Sequence, residues 1–158
     1  MGPENGSEVP GELRRLTESM EYPFRAELAL SSRYHAIEIA CVVLAETLKQ
    51  AAPGTHAGAR TELALREVLA NAIQHGNGLN SPEAILVELE VRKEDLEIRV
   101  SDRGRGFDHK VVPDPSLQEN ILRSHGRGIF SMRECMDSVA FSPRVGGGTT
   151  VTMCRILT

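Results

Sequence analysis

The stretch from residue 85 to residue 101, "ILVELEVRKEDLEIRVS", constrains the fold more than any other part of the chain. Ile85, Val87, Leu89 and Val91 recur at every second position, then Leu96, Ile98 and Val100 do the same, with "KED" between the two runs. Period-two alternation means strands with one covered face, and so short a connection makes them an antiparallel hairpin. The covered face needs a partner layer. Helical three-and-four spacing supplies one twice upstream. Tyr34, Ile37, Cys41, Leu44 and Leu48 form an apolar stripe over about 32–51. Leu65, Leu69, Ala72 and Ile73 form another over about 58–76. "YPFRAEL" reads as an earlier strand with Phe24, Ala26 and Leu28 on one side, and "GRGIFSMRECM" opens a third helix. Val139 and Phe141, the glycines at 146–148 and "TTVTMCRI" complete a last hairpin. Strands in hairpins rather than repeated βαβ units give an α/β two-layer sandwich: a mixed, mostly antiparallel sheet covered on one face by helices.

The length of 158 residues suits one domain, expected over 21–158. Residues 1–20 are rich in Gly, Pro, Glu and Ser and read as a flexible tail. A net charge of -4 argues against direct nucleic-acid binding. The most apolar run, "IEIACVVLAETL", is short and is interrupted by Glu38 and Glu46, so no membrane span is expected. The first residues have no basic n-region or apolar h-region of a signal peptide, and a cytoplasmic location is expected. Cys41, Cys135 and Cys154 have no metal-ligand spacing and read as small buried hydrophobes of a reducing compartment. The five histidines suggest no zinc site.

Four stretches carry the chemistry. In "REVLANAIQHG", Glu67, Asn71 and His75 fall at i, i+4 and i+8, on the helix face opposite the apolar stripe. "SDRGRGFD" follows a strand, "HGRGIFSM" puts glycines before a helix, and "GGGTTV" enters the last strand. Residues 107–125 separate the second stretch from the third and form a loop of lid length. Each stretch has an ordinary reading: a solvated helix face for Glu67 and Asn71, a flexible turn for the glycines, β-propensity for Thr149. Together they suit a nucleotide. An amide oxygen can ligate magnesium, and a carboxylate one turn earlier can take a proton near the terminal phosphate. Amides at a helix N-terminus attract anions. Asp102, at a strand end, can accept the exocyclic amine of adenine, and arginines beside the glycines can face phosphates.

These motifs resemble the ATP-binding domain shared by histidine kinases, type II topoisomerases and the ninety-kilodalton heat-shock chaperones, the Bergerat fold. Glu67, Asn71, His75 and Gly76 match its N box. Asp102, Gly104 and Gly106 match its first glycine box, Gly126 and Gly128 its second, and Thr149 its late threonine. "DRGRGFD", "PDPSLQENIL" and "GRGIFSMRECMDSVAF" are similar to the single-domain bacterial branch, anti-sigma factors that are also serine kinases. The likeness spans roughly 22–156. It implies ATP- and Mg-dependent phosphorylation of a serine or threonine on an anti-sigma antagonist, with a sigma factor as the second partner and a homodimer as the working form. It further implies Glu67 as base and Asn71 as the Mg ligand. His75 joins the nucleotide site, and Asp102, Gly104, Arg105 and Gly106 lie at the adenine and lid hinge. Gly126, Arg127 and Gly128 cradle phosphates, and Thr149 closes the site. An ATP-binding regulatory module with little or no kinase activity is the alternative, and a stand-alone histidine-kinase-type ATPase domain is another. No segment before residue 22 has room for the dimerisation helices of a histidine kinase.

Overall fold

In the computed structural model, residues 21–106 and 127–157 are described. The hairpin expected from alternation is β2 (Ile85–Val91) with β3 (Asp95–Ser101), in register Leu89↔Ile98 and Val87↔Val100. β1 (Phe24–Leu30) pairs with β2, and β4 (Ser138–Pro143) and β5 (Thr149–Ile156) form the last hairpin. The strand order is β1-β2-β3-β5-β4. Every pairing among the described residues is antiparallel, so the sheet is wholly antiparallel rather than mixed.

The registers line up one row, Ala26–Leu89–Ile98–Met153–Val139, across all the strands, and a second, Leu28–Val87–Val100–Val151–Phe141, beside it. These rows face three helices: α1 (His35–Ala51), α2 (Gly58–Asn71) and α3 (Arg127–Cys135). Leu44, Leu65, Leu69, Ile73 and Met132 fill the interface and are almost wholly buried. Burying such a side chain contributes about 1.5–3 kcal/mol. The other sheet face carries charge instead. Arg25 pairs with Glu90 at 2.9 Å, Arg92 with Asp95 at 2.8 Å and Arg99 with Glu97 at 2.8 Å. That polarity is why only one face is covered by helices.

Three local expectations change. α1 starts at His35, not 32, because Ser32 is buried outside the helix and donates from Oγ to the Gly78 carbonyl at 2.7 Å. Tyr34 therefore leaves the apolar stripe: it is 45% exposed, and its hydroxyl accepts from Gln74. α2 ends at Asn71 and continues as a π-helical turn, Ala72–Asn77. Of the cysteines, Cys41 and Cys135 are buried, whereas Cys154 is half-buried. No helix among the described residues is long and apolar enough to cross a membrane, and no cluster of metal-ligating side chains stands among them.

The topology places the site. After β3 the chain crosses to the far edge as β4 and returns as β5 between the two. The register Ser101↔Thr150 then sets the residue leaving β3, Asp102, beside the first residue of β5, Thr149.

Candidate functional site

Asp102 is 5% exposed, an unusual burial for a carboxylate. Its Oδ1 accepts from the Gly104 N–H at 2.9 Å and the Thr149 N–H at 3.3 Å. Its own N–H donates to the Thr149 carbonyl at 3.0 Å, and its carbonyl accepts from the Arg144 guanidinium at 3.3 Å. Oδ2 lies against Gly76, where a Cβ would come within 2.7 Å of it. The hydrogen bonds from described residues go to Oδ1, so Oδ2 retains acceptor capacity for a ligand.

Glycine makes that packing possible on both sides. A Cβ on Gly104 would overlap the Gly76 carbonyl, so the π-turn and the loop after β3 touch backbone to backbone. Gly148, at φ +101°, lies against the Asp102 carbonyl with no room for a side chain. Gly106 has positive φ, and a Cβ there would stand 3.7 Å from the Thr149 hydroxyl. Thr149, more than forty residues on, thus joins Asp102, Gly104 and Gly106 in one wall. Thr149 is buried.

The second cluster lies on α2, from Asn71 back to Glu67. A Cβ on Gly128, in the first turn of α3, would stand 2.7 Å from Glu67 Oε2 and 3.4 Å from Asn71 Nδ2. Glu67 and Asn71 are half-buried, and neither side chain hydrogen-bonds to any described residue. A carboxylate and a carboxamide, neither hydrogen-bonded to a described residue, therefore converge on the first turn of α3. From Glu67 to Gly76 the helical rise is on the order of 13 Å. The two clusters therefore stand at separate levels along α2 and the π-turn that continues it.

His75 does not join either cluster as tightly as its spacing suggested. It lies in the π-turn, whose i→i+5 winding no longer returns every fourth residue to the same line, and it is exposed. Arg105 and Arg127 are exposed at the margins. Gly126 and the expected lid, 107–125, lie outside the described residues, as does the tail, 1–20. Spacing alone missed Asn77 and Arg144. Asn77 accepts the Arg103 N–H at 2.6 Å and donates to the Glu83 carbonyl at 2.8 Å. An amide at a helix end, ahead of a glycine, was the available signal.

A family model described as "Histidine kinase-like ATPase domain" matches residues 30–155, and the chain belongs to that family. Family membership implies an ATP-binding site. Two curated relatives, each named serine-protein kinase RsbW, come from Staphylococcus aureus strains MSSA476 and MW2. Each is 27% identical over 103 residues, which is 61% of this chain and 64% of the relative. The match thus spans under two thirds of their length. A solved structure of the RsbU and RsbW domains of a Mycobacterium tuberculosis protein shares the fold. It has a TM-score of 0.61 at 19% identity, covering 84% of this chain and 32% of that one.

Proposed function

We propose that this histidine kinase-like ATPase is an ATP- and Mg-dependent serine/threonine protein kinase. Its substrate in this reading is a small anti-sigma antagonist, and the same cytoplasmic protein, as a homodimer, holds a sigma factor in a partner switch. The observation that carries the reading is the convergence of unengaged Glu67 and Asn71 on Gly128 at the start of α3. A site built only to hold a nucleotide has no need of a free carboxylate there. The likeness to proteins named serine-protein kinase supports the same choice.

Each cluster has a task. Asp102 Oδ2 accepts the adenine amine, with Oδ1 locked by two backbone donors so that the carboxylate cannot turn. Backbone amides at the start of α3, with Arg127, attract the phosphates. The Asn71 carboxamide suits magnesium, which keeps part of its water shell and neutralises phosphate charge when bound. Glu67 takes the proton of the incoming hydroxyl, a role worth about 10²–10⁴-fold in rate. Phosphoryl transfer asks little else of the protein than positioning and charge stabilisation.

The test pairs two variants. Glu67→Gln should bind Mg–ATP and the sigma factor normally yet transfer labelled phosphate to the antagonist on the order of 10²–10⁴-fold more slowly. Asn71→Ala should lose Mg–ATP affinity and transfer together. Wild-type transfer by Glu67→Gln would remove Glu67 as the base, whereas a wild-type protein that binds Mg–ATP but transfers no phosphate would remove the kinase assignment and leave an ATP-binding interaction module.

A further inference from the structure

We infer that Asn77 is a positioning residue for purine-base selection, an inference that rests on the proposed ATP site. Asn77 is the last residue of the π-turn, and its carboxamide joins three segments. Oδ1 accepts the N–H of Arg103, the residue directly after Asp102, at 2.6 Å. Nδ2 donates to the carbonyl of Glu83, in the loop leading to β2, at 2.8 Å. That loop is held again from outside: the Arg103 and Glu83 side chains approach to 3.6 Å. Its start is fixed by Ser32, which binds the Gly78 carbonyl at 2.7 Å and the Asn80 N–H at 2.9 Å.

The chemistry asks for an amide. One short planar group must accept from one backbone and donate to another, which a carboxylate or a methyl cannot do. The bond to Arg103 acts at the one place where the loop after β3 can slide. One residue back, Asp102 is tied to β5 through Thr149; one residue on, Gly104 rests on Gly76. Asn77 closes the same contact from the π-turn side, so the gap between Gly76 and Asp102 Oδ2 has a fixed width. Oδ2 is the oxygen that would meet the exocyclic amine, so its position decides whether a base presenting an amine is preferred over one presenting a carbonyl. Asn77 does not touch the base in this scheme; it acts through Asp102.

The test compares dissociation constants for ATP and GTP, and amide hydrogen exchange at Arg103, in wild type and variants of the full chain. Asn77→Ala should weaken ATP about three- to tenfold and leave GTP unchanged, as expected for one lost hydrogen bond. The Arg103 amide should exchange faster in this variant without nucleotide. Asn77→Asp keeps the acceptor toward Arg103 but loses the donor to Glu83, so its ATP preference should fall between wild type and alanine. If Asn77→Ala does not melt cooperatively, Asn77→Ser, whose hydroxyl cannot span both partners, carries the same comparison. An undiminished ATP preference in the alanine or serine variant overturns the inference alone, as does an aspartate variant as impaired as alanine. A wild-type protein that does not distinguish ATP from GTP overturns the ATP-site reading and the inference with it.

Discussion

Gly128→Ala should separate stability from chemistry. The residue lies in the first turn of α3, and its φ is not positive, so the backbone accepts alanine. Alanine in a helix is favoured over glycine by up to about 0.5–1 kcal/mol. Against this, the new methyl would stand 2.7 Å from Glu67 Oε2. That is roughly 0.7 Å inside ordinary contact. The atom it meets is the far end of a flexible side chain with no hydrogen bond to hold it. The carboxylate swings away, at a cost of about 0.5–1.5 kcal/mol if it leaves a staggered rotamer. The two terms nearly cancel, so net stability should stay within about 1 kcal/mol of wild type, or a few degrees in Tm for a chain of this size.

Activity should not cancel. On the proposed kinase reading, a carboxylate driven off the line to the incoming hydroxyl is a lost general base, and phosphotransfer should fall on the order of 10²-fold or more. The measurements are urea melts, nucleotide titration and single-turnover transfer of labelled phosphate on one preparation. Gly128→Ala combined with Glu67→Gln should be little worse than either change alone, because both remove one function. Wild-type transfer by Gly128→Ala would refute the reasoning, since the base would then work from a position the methyl denies it. A loss of more than about 3 kcal/mol would refute it differently, by revealing Glu67 as wedged rather than free to move.

Asp102→Asn should weaken ATP by about 1.5–3 kcal/mol and GTP far less, read by competition titration, because adenine presents an amine at the ring position where guanine presents a carbonyl. Cys154 should be the first thiol to react with a maleimide in the native protein. Cys41 should label only after denaturation, since burial pushes its pKa up and hides it from reagent. The Arg66 guanidinium bonded to Glu38 holds that carboxyl below its usual range. The contribution of this α1–α2 link is therefore full at neutral pH and lost as pH falls through the lowered folded-state value. Glu38→Gln should flatten the acid limb of a stability-versus-pH profile, and an unchanged limb would show that the link does not matter.

Much of this architecture was legible because it rests on short-range periodicity. Alternation from Ile85 to Val100 and the three-and-four stripes of α1 and α2 encode which face is buried, and burial then fixes two layers. Boundaries were less legible where a side chain found a better partner outside the helix. Ser32 would suit a helix start, yet its hydroxyl serves Gly78, forty-odd residues on, and the helix begins later. The π-turn was invisible for a related reason. Ala72 and Ile73 satisfy the apolar stripe equally well in either winding, and the insertion shows itself only downstream, at His75.

The candidate site divides along the same line. Spacing within α2 sufficed to pair Glu67 with Asn71, because one turn of helix sets their separation. Nothing local pairs Gly128 with Glu67, Gly76 with Asp102, or Gly148 with the Asp102 carbonyl. Those contacts depend on the crossover that brings β5 between β3 and β4, a consequence of the whole sheet order. A glycine in a sequence declares only that a side chain is unwelcome, and the fold supplies the neighbour that makes it so. At Gly76 and Gly104 the neighbours are each other's loops, so enlarging either residue would part the π-turn from the acid beside it. At Gly128 the neighbour is Glu67, a side chain that can move. The same residue type thus holds two backbones in contact in one cluster and leaves room for a movable carboxylate in the other.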